Sequence, residues 1–493
     1  MSNLVHRISL SFTSALVAAT IFLSVTANAA VQPNPPPSIC INGKCTTTTT
    51  LASAIKWHPG HYGATGCYTR PGGGQTSCKN SEISMVRSGP AQVLGIEESY
   101  YWRVFENSKQ GSYDFSVLDQ DYSSITGYSS GSGANAVYNS PRRLIINMYV
   151  SDYFNADPSQ GSVPDYILNG GGTYGPVGPD GMHTGYHTVQ GLGSGNCGGY
   201  SKCGSAAAYE RAAVMDRLIA LMQALANHTL PDGYTVDSSP YVELVIPFLE
   251  TATTVPQPAS SDSTWSDGAV ITQLQRLGTA MMAAFPHTNI SMPVNYMGQD
   301  GNAATLVQGL PGVRMGETGP DTFGYSSGTG KGNGLSGLTV GQWAYVGGMG
   351  GKDLRGVVPA TVNIQNTELV GEWGSYYQPC DIYQQANQTL HATHMMWQIA
   401  TGMPLSGYAS QDVTANWYGS ADSNRGSWNA SSSGGVLATI VNGTYCNGTR
   451  GSSWSTCPSS YSSGCNMSMV LPDSSRRRRL IDDSGAESGA ALG

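Results

Sequence analysis

Two glutamates follow apolar, strand-like runs and could supply paired carboxylate chemistry. In the run 242–248 every second residue is apolar, and Glu250 has the same parity. A regular strand would place Glu250 at the tip of an apolar face, where partial burial raises a carboxyl pKa and suits it to general acid work. Glu243 has the opposite parity and is expected to point towards helices. A solvated or ion-paired loop glutamate is the alternative for Glu250.

A second apolar run, 357–365, predicts the partner. Its even-numbered apolar residues share parity with Glu368, and Glu372 lies four residues further on as the fallback. Glycoside hydrolysis needs two carboxyl groups flanking the bond, one as acid and one as nucleophile or base. If the runs are strands four and seven of a barrel, their tips face each other across its mouth. A slipped register would instead leave Glu368 in an exposed loop.

Alternating strand and helix patterns predict the elements that would position these carboxylates. The helical patterns are strongest over 206–227 and 267–285, and a further one begins at Asp381. This alternation, with no Gly-x-Gly-x-x-Gly after the first strand, favours an α/β fold, a (β/α)8 TIM barrel, over a doubly wound sheet. We predict eight strands, at 55–58, 92–96, 143–149, 241–249, 289–296, 312–316, 357–365 and 394–398.

Composition divides the chain further. Residues 1–29 have the apolar run and the Ala27-Asn28-Ala29 end of a signal peptide, which predicts a secreted, periplasmic or extracellular protein with no membrane span after cleavage. A long Gly-rich loop, 152–204, is expected to be inserted after strand three. The other expected segments are a Pro/Thr-rich linker or arm at 30–54, the barrel at 55–430, a Ser/Gly/Cys-rich extension packed on it at 431–470, and a disordered tail at 471–493.

Ten cysteines agree with export and predict disulfides. Three close pairs flank turns: Cys40 and Cys45, Cys67 and Cys78, Cys197 and Cys203. The other four could form two more bridges with an open connectivity: Cys380, Cys446, Cys457 and Cys465. His183-x3-His187 would suit a metal only on a helix, and its surroundings are Gly-rich, so we expect neither metal nor cofactor.

Charge and motifs exclude several classes of function. Only 11% of residues are charged and the formal net charge is −8, which argues against a nucleic-acid partner. Low charge with 27 Tyr and 9 Trp suits a neutral polar ligand such as an oligo- or polysaccharide. The sequence contains no P-loop and no His-Glu-x-x-His.

One stretch carries a family resemblance. Tyr101-Trp102-Arg103-Val-Phe-Glu106, followed by Gly111-Ser-Tyr113-Asp114-Phe115-Ser116, resembles the segment after strand two in the clan of retaining (β/α)8 glycoside hydrolases, which includes cellulases, mannanases and β-galactosidases. The segment 55–62 looks like the clan's first strand and binding loop. The resemblance implies a retaining glycosidase with Glu250 as acid/base and Glu368 as nucleophile. The clan has Asn before its acid/base, where this chain has Leu249.

A rim of polar and aromatic residues is expected to bind the sugar. Trp397 is similar to a Trp that forms a sugar platform after strand eight in the clan, and Trp102 could stack on a sugar in the same way. The alternative for Trp102 is a position in the core, and the alternative for His58 and His61 is a structural role. The expected contacts are His58, His61, Trp102, Asn295, Tyr296, Asp321, Gln365, Glu372 and Trp397. Two other hypotheses stay open: a catalytically inactive barrel that acts as a carbohydrate-binding or cell-surface protein, and a structural exoprotein held together by disulfides.

Overall fold

The computed structural model describes part of the chain. The described residues are 39–41, 44–46, 55–65, 69, 71, 76–89, 93–139, 141–152, 157–174, 185–190, 203–248, 266–293, 305–306, 309–310, 315–318, 359–364, 386, 392–398, 421–422, 426–427 and 465–466. Residues 1–49 and 50–493 form two compact units. In the first unit, Ile39–Ile41 and Lys44–Thr46 form an antiparallel hairpin in which Cys40 lies opposite Cys45.

The second unit is built on a sheet of eight parallel strands. They are β1 (Gly60–Ala64), β2 (Val93–Tyr101), β3 (Arg143–Tyr149), β4 (Val242–Ile246), β5 (Asn289–Pro293), β6 (Met315–Thr318), β7 (Thr361–Ile364) and β8 (His394–Gln398). Their spatial order is β6-β5-β4-β3-β2-β1-β8-β7, so the first strand pairs with the eighth. The edge strands β6 and β7 are also in contact. The sheet therefore curls round on itself, and the predicted α/β class is confirmed.

Four helices cover the outer side of this sheet: α1 (Thr76–Ser88), α2 (Ser116–Thr126), α3 (Ala212–Asn227) and α4 (Asp267–Ala284). The apolar stripes of α3 and α4 are buried, as their helical spacing predicts. Helix α4 begins after Ser266, whose side chain accepts a hydrogen bond from the Ala269 N–H at 3.1 Å. Helix α1 fills the segment between strands one and two, where the sequence pattern is weak.

Short elements complete the described structure. The predicted insertion contains ordered structure, because Ser151–Asp152, Tyr186–Gln190 and Cys203–Ala207 form a three-stranded antiparallel sheet. Consequently α3 begins at Ala212 rather than at 206. The remaining short elements are Trp102–Phe105, Tyr128–Ser130, Gly133–Asn135, Val137–Tyr138, Pro158–Gln160, Asp165–Leu168, Gly171–Tyr174, Ala421–Asp422 and Gly426–Ser427.

The predicted first strand was wrong. Ile55–Lys56 pairs with Cys465–Asn466 in a separate two-stranded sheet, and the first strand of the large sheet begins only at Gly60. Pro59 separates the two, and proline has no N–H to offer a ladder. The pairing also brings a piece of the C-terminal extension against the residues that precede β1.

Cys78 is disulfide-bonded, and no described cysteine is free. All the cysteine pairings proposed from the sequence stay predictions. Among the residues that the structure describes, no helix combines the length and apolar character needed to cross a membrane.

Candidate active site

The curled sheet has an inner and an outer set of packed residues. The inner cluster is small, and its buried members are Tyr62, Ala64, Ile145, Leu244, Ile246 and Met396. The outer core, between sheet and helices, is much larger. Because side chains alternate along a strand, the residues that share a face with the inner cluster line the interior of the sheet.

The predicted apolar faces of β4 and β7 do not lie where expected. On β4, Leu244 and Ile246 belong to the inner cluster, whereas Val242 and Phe248 belong to the outer core. A register shift between Val242 and Leu244 interrupts the alternation and accounts for Val242, while Phe248 lies beyond Ile246, where β4 ends. On β7 the even-numbered apolar residues lie in the outer core, so the parity argument for Glu368 assumed the wrong face.

A buried carboxyl group, that of Glu97, lies inside the curled sheet. Its Oε1 accepts a hydrogen bond from Asn147 Nδ2 on β3, and its Oε2 accepts one from Asn363 Nδ2 on β7 at 2.9 Å. Glu97 is 1% exposed, and burial raises its pKa to about 7, an effect that the Asn147 hydrogen bond opposes. A carboxyl group with a pKa near neutrality can exchange a proton under the conditions in which most enzymes work.

This network lies towards the carboxyl ends of the strands. Ala64, the last residue of β1, pairs with Glu97, and Ile246, the last residue of β4, pairs with Asn147. Two tyrosines continue the inner face of β2 and β3 beyond it, with the rings of Tyr101 and Tyr149 5.6 Å apart. In parallel α/β barrels the carboxyl ends form the mouth in which active sites are built. Glu97, Asn147 and Asn363 therefore form a polar floor beneath that mouth.

The amino-terminal end of the sheet holds a second buried carboxylate, Glu243. It accepts hydrogen bonds from the His58 N–H at 2.8 Å, from His58 Nδ1 at 2.7 Å and from His394 Nε2 at 3.2 Å. Burial alone would raise the Glu243 pKa, but His58, His394 and the Arg143 guanidinium 4.0 Å away hold it well below its usual range. The prediction that Glu243 points towards helices was wrong, because the register shift turns it inward.

His58 is consequently far from the role expected of it. It precedes β1, binds Glu243 at the amino-terminal end, and is nearly buried. Burial lowers the His58 pKa despite the carboxylate, so the neutral ring donates its Nδ1 hydrogen to Glu243. In this structure His58 has the structural role that the sequence left open as its alternative.

His61 and Trp397 form a buried pair on the outer side of the sheet. Trp397 Nε1 donates to His61 Nδ1 at 3.0 Å, and Trp397 is fully buried in the outer core. Burial lowers the His61 pKa to about 3, which keeps the ring neutral as a hydrogen-bond acceptor. The expected sugar platform at Trp397 and sugar contact at His61 are therefore corrected to packing roles.

The stretch that carries the family resemblance is a structural network. Trp102 is fully buried, and its Nε1 donates to Glu106 Oε2 at 3.2 Å. Glu106 also accepts from Tyr166 OH at 2.8 Å and from Arg217 Nη2 on α3 at 2.7 Å. The network fixes the segment after β2 to α3. It leaves no exposed face of Trp102 for a sugar, which corrects that expectation.

The other predicted residues lie outside the described part of the chain, and their roles stay predictions. They are Glu250, Asn295, Tyr296, Asp321, Gln365, Glu368 and Glu372. Of the suggested metal pair only His187 is described; it lies on a strand, with its Nε2 2.8 Å from Glu210 Oε1. Within the described residues, no group of three or more His, Cys, Asp or Glu could hold a metal ion.

Sequence reasoning missed Glu97. The predicted second strand ended at 96, one residue before it, whereas the strand runs from Val93 to Tyr101. The strand continues through Tyr100 and Tyr101, residues with high strand propensity. That aromatic pair was the available signal that the glutamates are flanked by strand on both sides.

The chain thus folds as an α/β protein with a curled parallel sheet, and a polar floor lies at the carboxyl end of that sheet. Solved structures similar to it include the β-amylase catalytic domain from Paenibacillus polymyxa, at 10% identity over 70% of this chain and 93% of that one, with a TM-score of 0.44. The endo-1,4-β-mannanase from Rhizomucor miehei is 11% identical over 77% and 95%, with a TM-score of 0.43. A GH5-4 endoglucanase from Bacteroides salanitronis is 10% identical over 74% and 87%, with a TM-score of 0.39.

The resemblance to (β/α)8 glycoside hydrolases found in the sequence thus recurs among solved structures. No family model matches the sequence, and no curated protein matches it. Because the TM-scores are below 0.5, these similarities carry no conclusion about activity.

Proposed function

We propose that the chain is a secreted glycoside hydrolase whose sheet closes into a (β/α)8 barrel with the active site at its carboxyl mouth. The observation that carries the proposal is the cyclic order of the eight parallel strands, with β1 paired to β8 and β6 in contact with β7. This order directs the carboxyl ends of all eight strands to one edge. The inner cluster fills the interior below, which leaves the mouth as the place for substrate.

Two glutamates follow the ends of β4 and β7 within a few residues, and this nearness to the mouth, rather than strand parity, supports a catalytic pair. Glu250 is four residues beyond Ile246, where β4 ends (250 − 246 = 4), and Glu368 is four residues beyond Ile364, where β7 ends (368 − 364 = 4). In a retaining mechanism Glu250 would protonate the departing glycosidic oxygen and later activate water, while Glu368 would attack the anomeric carbon. Glu372 is the alternative nucleophile. The substrate would be an oligo- or polysaccharide, in keeping with the low charge of the chain.

The test is hydrolysis by the purified chain on a panel of aryl glycosides and polysaccharides. We expect Glu250→Gln to lose orders of magnitude in rate on a substrate with a poor leaving group. Comparing Glu368→Gln with Glu372→Gln identifies the nucleophile, because only one of these matched variants should be inactive. The anomer first formed, read by NMR, reports retention.

Two outcomes would overturn the proposal. Near-normal turnover by Glu250→Gln would remove Glu250 from the mechanism. A folded wild-type chain that binds polysaccharide but hydrolyses none would be the carbohydrate-binding protein that the sequence also allows.

A further inference from the structure

Glu97 has a position that the proposed catalytic pair does not explain. It is the carboxyl group at the floor of the mouth, and its two oxygens are held by strands other than its own, β3 through Asn147 and β7 through Asn363. A wholly apolar interior would pack here without the cost of burying a carboxyl group. The sheet instead supplies two amide donors to it.

The network accommodates both states of this carboxyl group. With Glu97 ionised, each oxygen accepts an amide N–H, as in the structure. Asn147 Oδ1 is buried and has no hydrogen-bond partner. When Glu97 gains a proton, a half-turn of the Asn147 amide brings that oxygen round to accept the new O–H, so neither state leaves the proton or the charge unpaired.

The surroundings leave the Glu97 charge uncompensated. Burial raises the Glu97 pKa to about 7 against the opposing effect of the Asn147 hydrogen bond, and no cation among the described residues contributes. Glu98 lies next in sequence on the opposite face, where burial raises its pKa well above the usual value and keeps it neutral. The titratable or charged residues on the inner faces of the described neighbouring strands are Tyr62, Tyr101, Arg143, Tyr149, Glu243 and His394. Arg143, Glu243 and His394 lie at the amino-terminal end of the sheet, away from Glu97.

We propose that Glu97 is a positioning residue for the catalytic carboxylates proposed above: it places an ionisable charge beneath the mouth and fixes β7 through Asn363. This inference rests on the proposed function. Ionised Glu97 would disfavour loss of a proton from an acid/base glutamate acting at the mouth, because two like charges repel in a medium of low dielectric constant. It thereby keeps the general acid protonated to higher pH.

The pH profile of hydrolysis tests the proposal. Glu97 is ionised above about pH 7, so removing its charge with Glu97→Gln should move an alkaline limb of the kcat profile that lies above this pH down by about one pH unit. Glu97→Asp keeps the charge and should return the limb towards the wild-type position. Glu98→Gln is the matched control, because it changes the adjacent carboxyl group on the opposite face and should leave the limb in place.

A second measurement does not depend on activity. The infrared difference spectrum of wild type minus Glu97→Gln should contain the band of a neutral carboxyl group that disappears as pH rises through about 7. If the chain hydrolyses no glycoside, the proposed function is rejected while this band still decides whether Glu97 holds the proton. If hydrolysis occurs and Glu97→Gln lowers the rate without moving the alkaline limb, the positioning role is rejected and the proposed function stands.

Discussion

Replacing Glu243 by glutamine should destabilise the sheet from its amino-terminal end. The carboxylate accepts four N–H groups, two from His58 and one each from His394 and Asn289, and lies 4.0 Å from the Arg143 guanidinium. Glutamine keeps the shape but removes the charge and turns an NH2 group towards these donors. Breaking one partner of a buried charged pair costs about 3–5 kcal/mol. For a cooperative unit of roughly 400 residues, this lowers Tm by about 4–6 °C.

The destabilisation caused by Glu243→Gln should depend on pH. The Glu243 pKa is held well below its usual range, so the carboxylate contributes stability above the unfolded value of about 4.3 and loses it as pH falls through the folded pKa. The difference in Tm between wild type and Glu243→Gln should therefore be constant from about pH 6 to 8 and shrink in stronger acid. Scanning calorimetry across this range measures it.

The control is an ion pair at the surface that also joins a carboxylate to an arginine. Asp216 lies against Arg276 with both side chains largely exposed, and such pairs contribute about 0–1 kcal/mol. Asp216→Asn should shift Tm by no more than about 1 °C. If Glu243→Gln shifted Tm by no more than this control at neutral pH, the reasoning on the buried cluster would be refuted.

Three further predictions concern other buried groups. Glu98→Gln should be more stable than wild type by an amount that grows by about 1.4 kcal/mol per pH unit above about pH 4.3, because wild-type Glu98 must keep its proton to remain buried. A difference in urea midpoint between variant and wild type that is the same at pH 5 and at pH 8 would contradict this. Trp102→Phe should lose about 2 kcal/mol or more, since Glu106 loses a donor and the smaller ring leaves a cavity in the core. KM for any sugar should be unchanged, and a raised KM would restore Trp102 as a sugar platform. Gly127→Ala should cost more than about 1 kcal/mol in chemical denaturation, because φ is +63° and the new Cβ would meet Asn139 O; wild-type stability would refute the strain.

The sequence predicted the elements well where the pattern had a single physical cause. Strands β3 and β8 have the bounds read from the sequence, and α4 differs by one residue, because a short apolar run or a helical spacing of apolar residues determines each of them. The buried stripe of α3 was also predicted. What periodicity could not show was the short strand before α3, where small residues carry little pattern.

The faces of the strands were harder to predict than the strands themselves. Parity assumes an unbroken alternation and assumes that the more apolar face is the inner one. The shift between Val242 and Leu244 breaks the first assumption. The β7 strand breaks the second, because its apolar residues pack under the helices while Asn363 faces inward to Glu97. A narrow interior filled partly by polar side chains makes the outer face the more apolar one.

The error at the first strand had the largest consequence for the candidate site. Ending that strand at His58 placed the histidine at the mouth, whereas β1 begins at Gly60 and so places His58 at the opposite end, on Glu243. In a parallel barrel the two ends differ in kind: residues at the amino-terminal end stabilise, and residues at the carboxyl end do chemistry. A residue type that suits catalysis is therefore informative only after the direction of its strand is known. Glu97 and Glu243 are both buried inner-face glutamates, but their positions along β2 and β4 give them different partners: amide groups for Glu97, and two histidines and Arg143 for Glu243.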